Sequence, residues 1–212
     1  MGSWDGSIVL ASASESRRQI IRRLGLPTKA IASCVDEYIL TEWTPETAVT
    51  QLALRKARAV WHQHGTARPI IIGADTVIVF EHEILGKPRS IEEAEAVLYR
   101  LKGMSHTILT CTAAIATWTG ETVTKLDATQ VTMRCYSDQE IVEYLATGES
   151  MNKAGSYAIQ GHGQNLVEKF HGDFESATGL SSRTVRTLIE KLSDRPTGHV
   201  NTGDARAEKF IN

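Results

Sequence analysis

Cysteine is scarce in this 212-residue chain: Cys34, Cys111 and Cys135 form no close pair and leave one over. That argues against a disulfide framework and for a reducing compartment, and no Cys/His spacing suggests zinc. Long apolar runs are missing too, so nothing approaches the roughly 20 residues of a membrane-spanning helix. The first residues, Met1-Gly2-Ser3-Trp4-Asp5-Gly6-Ser7, have neither the basic region nor the apolar core of a signal peptide, and Met1-Gly2 opens a poor lipidation motif. The expectation is a soluble, cytoplasmic protein with no membrane partner. Charge of one sign is also lacking. A formal net charge of -2 gives no electrostatic case for nucleic acid or an anionic membrane as the main partner. No repeat or low-complexity segment appears.

What is present, 42% hydrophobic and 23% charged residues, suffices for a sizeable core in one domain or two intimate lobes. The central stretch runs from Ile70-Ile71-Ile72 through Gly73-Ala74-Asp75-Thr76-Val77-Ile78-Val79 to Leu85-Gly86-Lys87-Pro88. Its β-branched run predicts a buried strand that carries Asp75. A carboxylate among apolar neighbours is costly unless it meets a metal, a donor or a cation. Glu81-His82-Glu83 reads as a hairpin tip whose return leg brings Lys87 back near Asp75. A carboxylate able to hold a hard cation, facing a lysine able to meet phosphate, points to a phosphorylated substrate; a structural ion pair explains the same spacing.

Around this stretch, Ile8-Val9-Leu10-Ala11 predicts a strand, Ser12-Ala13-Ser14 a polar loop, and Glu15 onward a helix with Ile20, Ile21 and Leu24 on one face, stopped at Gly25. Ser12 and Ser14 at the helix N-terminus, with Arg17 beside them, make either an anion site or an ordinary cap. A second strand is expected from Thr28 to Ala32. Thr44-Pro45 opens a long helix whose small apolar stripe, Ala48, Leu52, Ala53 and Ala59, includes Lys56, which either snorkels or points into a cleft. His62 and His64 face different sides and chelate poorly. Ser90 and Ser137 each begin a capping box, with Ala94, Val97, Leu98 and Leu101 on the first helix's face and Ile141, Val142 and Leu145 on the second's. Between them lie strands near Ser105 to Trp118 and Thr122 to Met133.

Farther on, Asn152 to Gly163 reads as a short strand bracketed by glycines, with Gln160 suited to a base edge or ribose. Leu166 to His171 predicts a strand, and Ser181 or Ser182 caps a last helix bearing Val185, Leu188, Ile189 and Leu192. Together these give an α/β protein with a mixed, twisted sheet flanked by helices. Residues 1–6 are expected to be a flexible N-terminus, 7–194 the domain, and 195–212 a polar, mobile tail.

The ordered motifs Leu10-Ala11-Ser12-Ala13-Ser14, Val35-Asp36-Glu37, Leu54-Arg55-Lys56-Ala57, Gly73-Ala74-Asp75-Thr76-Val77, Leu85-Gly86-Lys87-Pro88, Lys153-Ala154-Gly155, Ile159-Gln160-Gly161 and Gly179-Leu180 resemble the Maf family. The resemblance spans about Ser7 to Ser193. Members are similar to nucleoside triphosphate pyrophosphatases, which release a nucleoside monophosphate and pyrophosphate, and the fold it implies is Maf or ITPase-like, with two lobes around a nucleotide cleft.

By resemblance, Asp75 is the proton acceptor that activates water, and Glu37 with Asp75 holds a divalent metal cation (Mg, Mn or Co). Arg17, Lys56 and Lys87 would surround the triphosphate alongside Ser12 and Ser14, while Ser16, Thr76 and Gln160 would read the base. The pyrimidine branch of the family usually has Arg at the position of Ser16, and a branch acting on methylated guanosine triphosphate has Trp. Thr76 and Gln160 look like the pyrimidine branch. The implied substrate is dTTP or UTP, read more loosely than in relatives with Arg and extending to modified nucleotides. Because successive strand residues face opposite ways, Thr76 reaching the site beside Asp75 implies a departure from regular alternation there. A non-catalytic nucleotide-binding regulator of cell division is the alternative, and a homodimer is left open.

Overall fold

The computed structural model describes residues 3–63 and 67–193. The expectations for residues 1–2, for His64 and for the tail at 195–212 lie outside them. The spine of the sheet is β3 (Ile70–Phe80). Its first half pairs in parallel with β1 (Ile8–Leu10), which pairs in parallel with β2 (Thr28–Ala30). On its other side, β5 (Ser105–Ala116) runs antiparallel along nearly its full length, followed by β6 (Thr122–Met133) and β7 (Val167–His171). The short β4 (Glu83–Leu85) folds back onto the end of β3. The turn between them uses Glu81 and His82 in left-handed conformation, φ 50° and 69°, as a two-residue hairpin requires.

Among the described residues six helices flank this mixed sheet: α1 (Glu15–Arg22), α2 (Pro45–Ala59), α3 (Ile91–Leu101), α4 (Asp138–Ala146), α5 (Phe174–Ala177) and α6 (Ser182–Ser193). The Thr44 hydroxyl accepts the Thr47 N–H at 3.2 Å with Pro45 in the first turn, so α2 starts where the sequence says it must. At α4 the Ser137 box closes both ways. At α3 the Glu93 carboxylate reaches one residue farther back, to the Arg89 N–H at 2.9 Å, while Ser90 caps alone. Ser181, rather than Ser182, accepts the Thr184 N–H that opens α6.

Three apolar cores form. On one face, α2 covers Val9, Ile71 and Val77; on the other, α1 and α6 cover Ile8, Leu10, Ile70 and Ile72. The third lies farther along β3, where Ile78 and Phe80 meet α3, α4 and Tyr157. The two lobes therefore join at the middle of β3. On the even-numbered face, Ile72 and Ala74 belong to one core and Ile78 and Phe80 to another, with Thr76 the polar step between them. At Gly73, α2 lies directly on the strand: a Cβ there would collide with the Ala53 carbonyl and sit 2.7 Å from the Ala57 nitrogen.

Four expectations change. Ala59 turns to solvent, because the buried stripe of α2 is Ala48, Val49, Leu52, Ala53, Lys56 and Ala57. Val142 is 54% exposed, since α4 seats only Ile141, Tyr144 and Leu145. Asn152 to Gly163 contains no strand; short 3-10 turns at Glu149–Asn152, Ala154–Ser156 and His162–Leu166 replace it, with Gly155 and Ser156 both at positive φ. Helix α5, capped by the Asp173 carboxylate, was not expected.

Candidate active site

The site lies at a break in the sheet. β1 leaves β3 after Leu10 opposite Ile72, and β4 rejoins it only from Ile78. On that edge, residues 73–77 of β3 face no strand among the described residues. A ligand in the break meets side chains from both faces, which is why Asp75 and Thr76 share it although β3 stays regular: Asp75 pairs with Cys111 and Thr76 with Thr110 in unbroken register. The expected departure from alternation does not occur. Two cavities flank the break, about 610 Å³ and 260 Å³, sharing Ser14, Arg17, Thr76, Lys87 and Ala154 in their walls.

The larger cavity holds the charges. From α2, Lys56, only 7% exposed, places its ammonium 2.5 Å from Asp75 Oδ1 and 2.6 Å from Glu37 Oε1. The lysine thus points into the cleft rather than snorkelling out. Burial raises the Asp75 pKa, against the opposing pull of the Lys56 charge and hydrogen bond. Glu37, on an exposed loop, moves the other way: burial would raise it, but the Lys56 hydrogen bond and charge, then Lys87 and Arg17, outweigh that and hold it below the ordinary value. The hairpin return delivers Lys87 into the same cavity, where its ammonium lies 3.9 Å from Glu37 Oε2 and itself stays solvent-exposed.

Arg17 stands where the two cavities meet. Its Nε donates to the Gly179 carbonyl at 2.8 Å and its Nη2 to Thr76 Oγ1 at 3.3 Å. Gly179 sits at φ +117°, a conformation open to glycine, which gives a physical reason for the Gly179-Leu180 motif. Thr76 in turn exchanges a 2.9 Å hydrogen bond with Thr110, which donates to the Ser176 carbonyl at 2.7 Å. Thr110, fully buried on β5, is a residue sequence reasoning missed; a threonine in a β run carries no signal of its own. Ser14 is the N-cap of α1, accepting the Arg17 N–H at 3.5 Å, and Ser12, 5% exposed, accepts the Ser14 N–H at 3.1 Å. Both line the larger cavity, so the capped N-terminus of α1 opens onto it.

The smaller cavity is bounded by Ser16, Ile78, Ile108, Tyr157, Ile159 and Gln160, with Lys153 at its side. Across its mouth the Gln160 amide donates to Ser16 Oγ at 2.8 Å. Behind it, Tyr157 bonds His106 Nε2 at 2.7 Å, and the Tyr144 hydroxyl accepts the Ala158 N–H at 3.1 Å. Among the described residues no group of three or more His, Cys, Asp or Glu converges to hold a metal, and no helix is long and apolar enough to cross a membrane.

Fold and cleft together define a mixed α/β protein whose sheet opens into a cation-lined cleft around one buried carboxylate. Residues 7–192 match the profile of the family described as Maf-like protein, and the chain belongs to that family. It is 41% identical over 197 residues, 90% of this chain and 87% of the relative, to the dTTP/UTP pyrophosphatase of Desulfitobacterium hafniense (strain Y51). It is 41% identical over 182 residues, 85% of this chain and 96% of the relative, to the dTTP/UTP pyrophosphatase of Geobacillus sp. (strain WCH70). The Staphylococcus aureus Ham1 protein aligns over 88% of this chain and 96% of its own at 15% identity and a TM-score of 0.43, a likeness too distant to add to these.

Proposed function

We propose that this protein is a nucleoside triphosphate pyrophosphatase that hydrolyses dTTP or UTP to the nucleoside monophosphate and pyrophosphate. The carrying observation is the Glu37–Lys56–Asp75 cluster, two carboxylates on one ammonium at 2.6 and 2.5 Å, in a cavity that Arg17 and Lys87 also line. Relatives bearing that activity by name support the reaction.

In this reading Lys56, Lys87 and Arg17 neutralise the triphosphate and the charge that grows on the departing pyrophosphate. The α1 N-terminus, with Ser12 and Ser14, adds N–H and hydroxyl donors. Asp75 takes the proton of the attacking water. Its environment and that of Glu37 push their pKa values apart, Asp75 up and Glu37 down, and the carboxylate with the raised pKa is the better base. The pair also suits a hard divalent cation, Mg, Mn or Co: two oxygens already converge on one positive charge, and magnesium-like ions bind through one or two carboxylates with phosphate and water completing the shell. When bound, such an ion supplies Lewis-acid polarisation of the phosphoryl oxygens. The smaller cavity takes the base, with Gln160 and Ser16 at its mouth and Thr76 acting mainly through Arg17. A cytoplasmic enzyme working on free nucleotides completes the proposal.

The test is a panel of canonical and modified nucleoside triphosphates with pyrophosphate and monophosphate both measured, with and without divalent metal. Pyrophosphate release that stops in excess chelator is expected. Orthophosphate as the first product, or undiminished turnover in chelator, would overturn the proposal.

A further inference from the structure

Arg55 precedes Lys56 on α2, and consecutive helical residues point about 100° apart. Lys56 turns into the cleft; Arg55 turns onto the loop that carries Glu37. Its Nη1 donates to the Tyr38 carbonyl at 2.8 Å, and the guanidinium lies 3.9 Å from the centre of the Tyr38 ring and 5.0 Å from that of Trp43. Both distances lie within cation–π range. The loop at 31–43 contains no helix or strand. Its backbone bonds to β1 at Ile31, and near its far end the Trp43 N–H bonds only within the loop, to Leu40. Between those points, among the described residues, the Arg55 bond is the one tie from the loop backbone to the rest of the fold. Glu37 is half exposed: its carboxylate meets Lys56 and Lys87 at its tip, and, among the described residues, its backbone has no tie of its own to the sheet or the helices.

We infer that Arg55 is the positioning residue for Glu37: it clamps the carbonyl of the next residue and stacks on two loop aromatics, so that one helix sets both the cleft ammonium and the carboxylate that meets it. The catalytic consequence rests on the proposed function, whereas the clamping of the loop does not. Arginine is required for this, because a planar guanidinium stacks on a ring and donates in its own plane at once, and a lysine ammonium does not. The exposed Tyr38, which buries no part of the core, has its place explained by the same contact.

The test compares wild type, Arg55→Ala and Arg55→Lys in two measurements. In nucleotide-free, metal-free protein, amide hydrogen exchange at 33–43 should quicken in both variants while α2 and β3 stay protected. In turnover, Arg55→Ala should cost about tenfold in kcat/KM, the usual scale for a group that orients a ligand-bearing carboxylate, and in a Glu37→Gln background the same substitution should cost less than about twofold further. Unchanged exchange in the loop, full rescue by Arg55→Lys, or an equal loss in both backgrounds would overturn the assignment. If wild type turns over no nucleoside triphosphate the proposed function fails, and the exchange comparison still decides the role of Arg55.

Discussion

The two ends of the cleft are built differently. At the charged end, Lys56 and Asp75 project from a helix and a strand in backbone contact at Gly73, both side chains are under a tenth exposed, and Arg17 is held by Gly179 and Thr76. At the other end, Ser16 and Gln160 meet in a single hydrogen bond, Gln160 is exposed, and the chain behind it is a series of 3-10 turns. Groups on regular elements are placed by packing, and those on loops by a few bonds. Lys56, Asp75 and Arg17 are thus held in fixed geometry, whereas Gln160 at the other end and Glu37 at the charged end depend on a few bonds.

Asp75→Asn tests the charged end most severely. It should lower kcat by about 10²–10⁴-fold, the range for loss of a general base, with nucleotide binding kept. Wild-type turnover in that variant would make Asp75 structural and restore the regulator reading. Gly73→Ala asks whether the backbone contact matters. The added methyl meets main-chain atoms that cannot rotate away, so thermal unfolding should show a loss of about 1–3 kcal/mol, accompanied by reduced kcat. A neutral outcome would mean that α2 slides freely and that the rigidity of this end is overstated.

The third measurement probes the support of the Gln160 end. His106 is 3% exposed, bonds Tyr157 through Nε2 and has no partner at Nδ1; burial lowers its pKa to about 4 from 6.5. The unfolded chain takes up that proton near 6.5 and the fold only near 4. Stability is therefore fully present above 6.5 and drains as pH falls towards 4. Between pH 7 and 5 the loss from this group is roughly 2 kcal/mol. His106→Phe should flatten the slope of stability against pH in that window, whatever it costs at neutral pH. An unchanged slope would assign the acid sensitivity elsewhere.

The smallest effect concerns Ser16. Ser16→Arg removes the acceptor of the Gln160 amide and fills the mouth of the smaller cavity, so relative kcat/KM across bases should narrow by roughly tenfold, with activity retained. A profile unchanged across the panel would show that the contrast between the two ends has no bearing on specificity.

Much of the charged end was legible in the sequence because its determinants are local. The capping pair Thr44-Pro45, the buried strand carrying Asp75, and a lysine on an otherwise small, apolar helix stripe each announce themselves within a few residues. What stayed hidden depends on distant pairing. Arg17 owes its position to a carbonyl 162 residues away, and Thr110 acquires its role only by facing Thr76 across the sheet. The glycines at 155, 161 and 163 predict the brackets of a strand, because glycine signals punctuation but not which irregular path follows. Regular alternation at Thr76 is compatible with a shared site because the gap between β1 and β4 gives access to both faces. Sequence reports periodicity; it does not report where a neighbouring strand stops.

That gap has one more consequence. Beside β1, the Ile70 N–H bonds Ser7 and the Ile72 carbonyl accepts from Ala11, so the even-numbered residues of β3 turn their peptide groups towards this edge. Thr76, which lines both cavities, continues the alternation just where, among the described residues, no strand stands opposite. Part of the cleft wall is consequently the main chain itself, polar and identical whatever side chains the residues carry. Short of proline, substitution leaves it in place, and every single variant above retains that share of whatever grip the cleft has on its ligand.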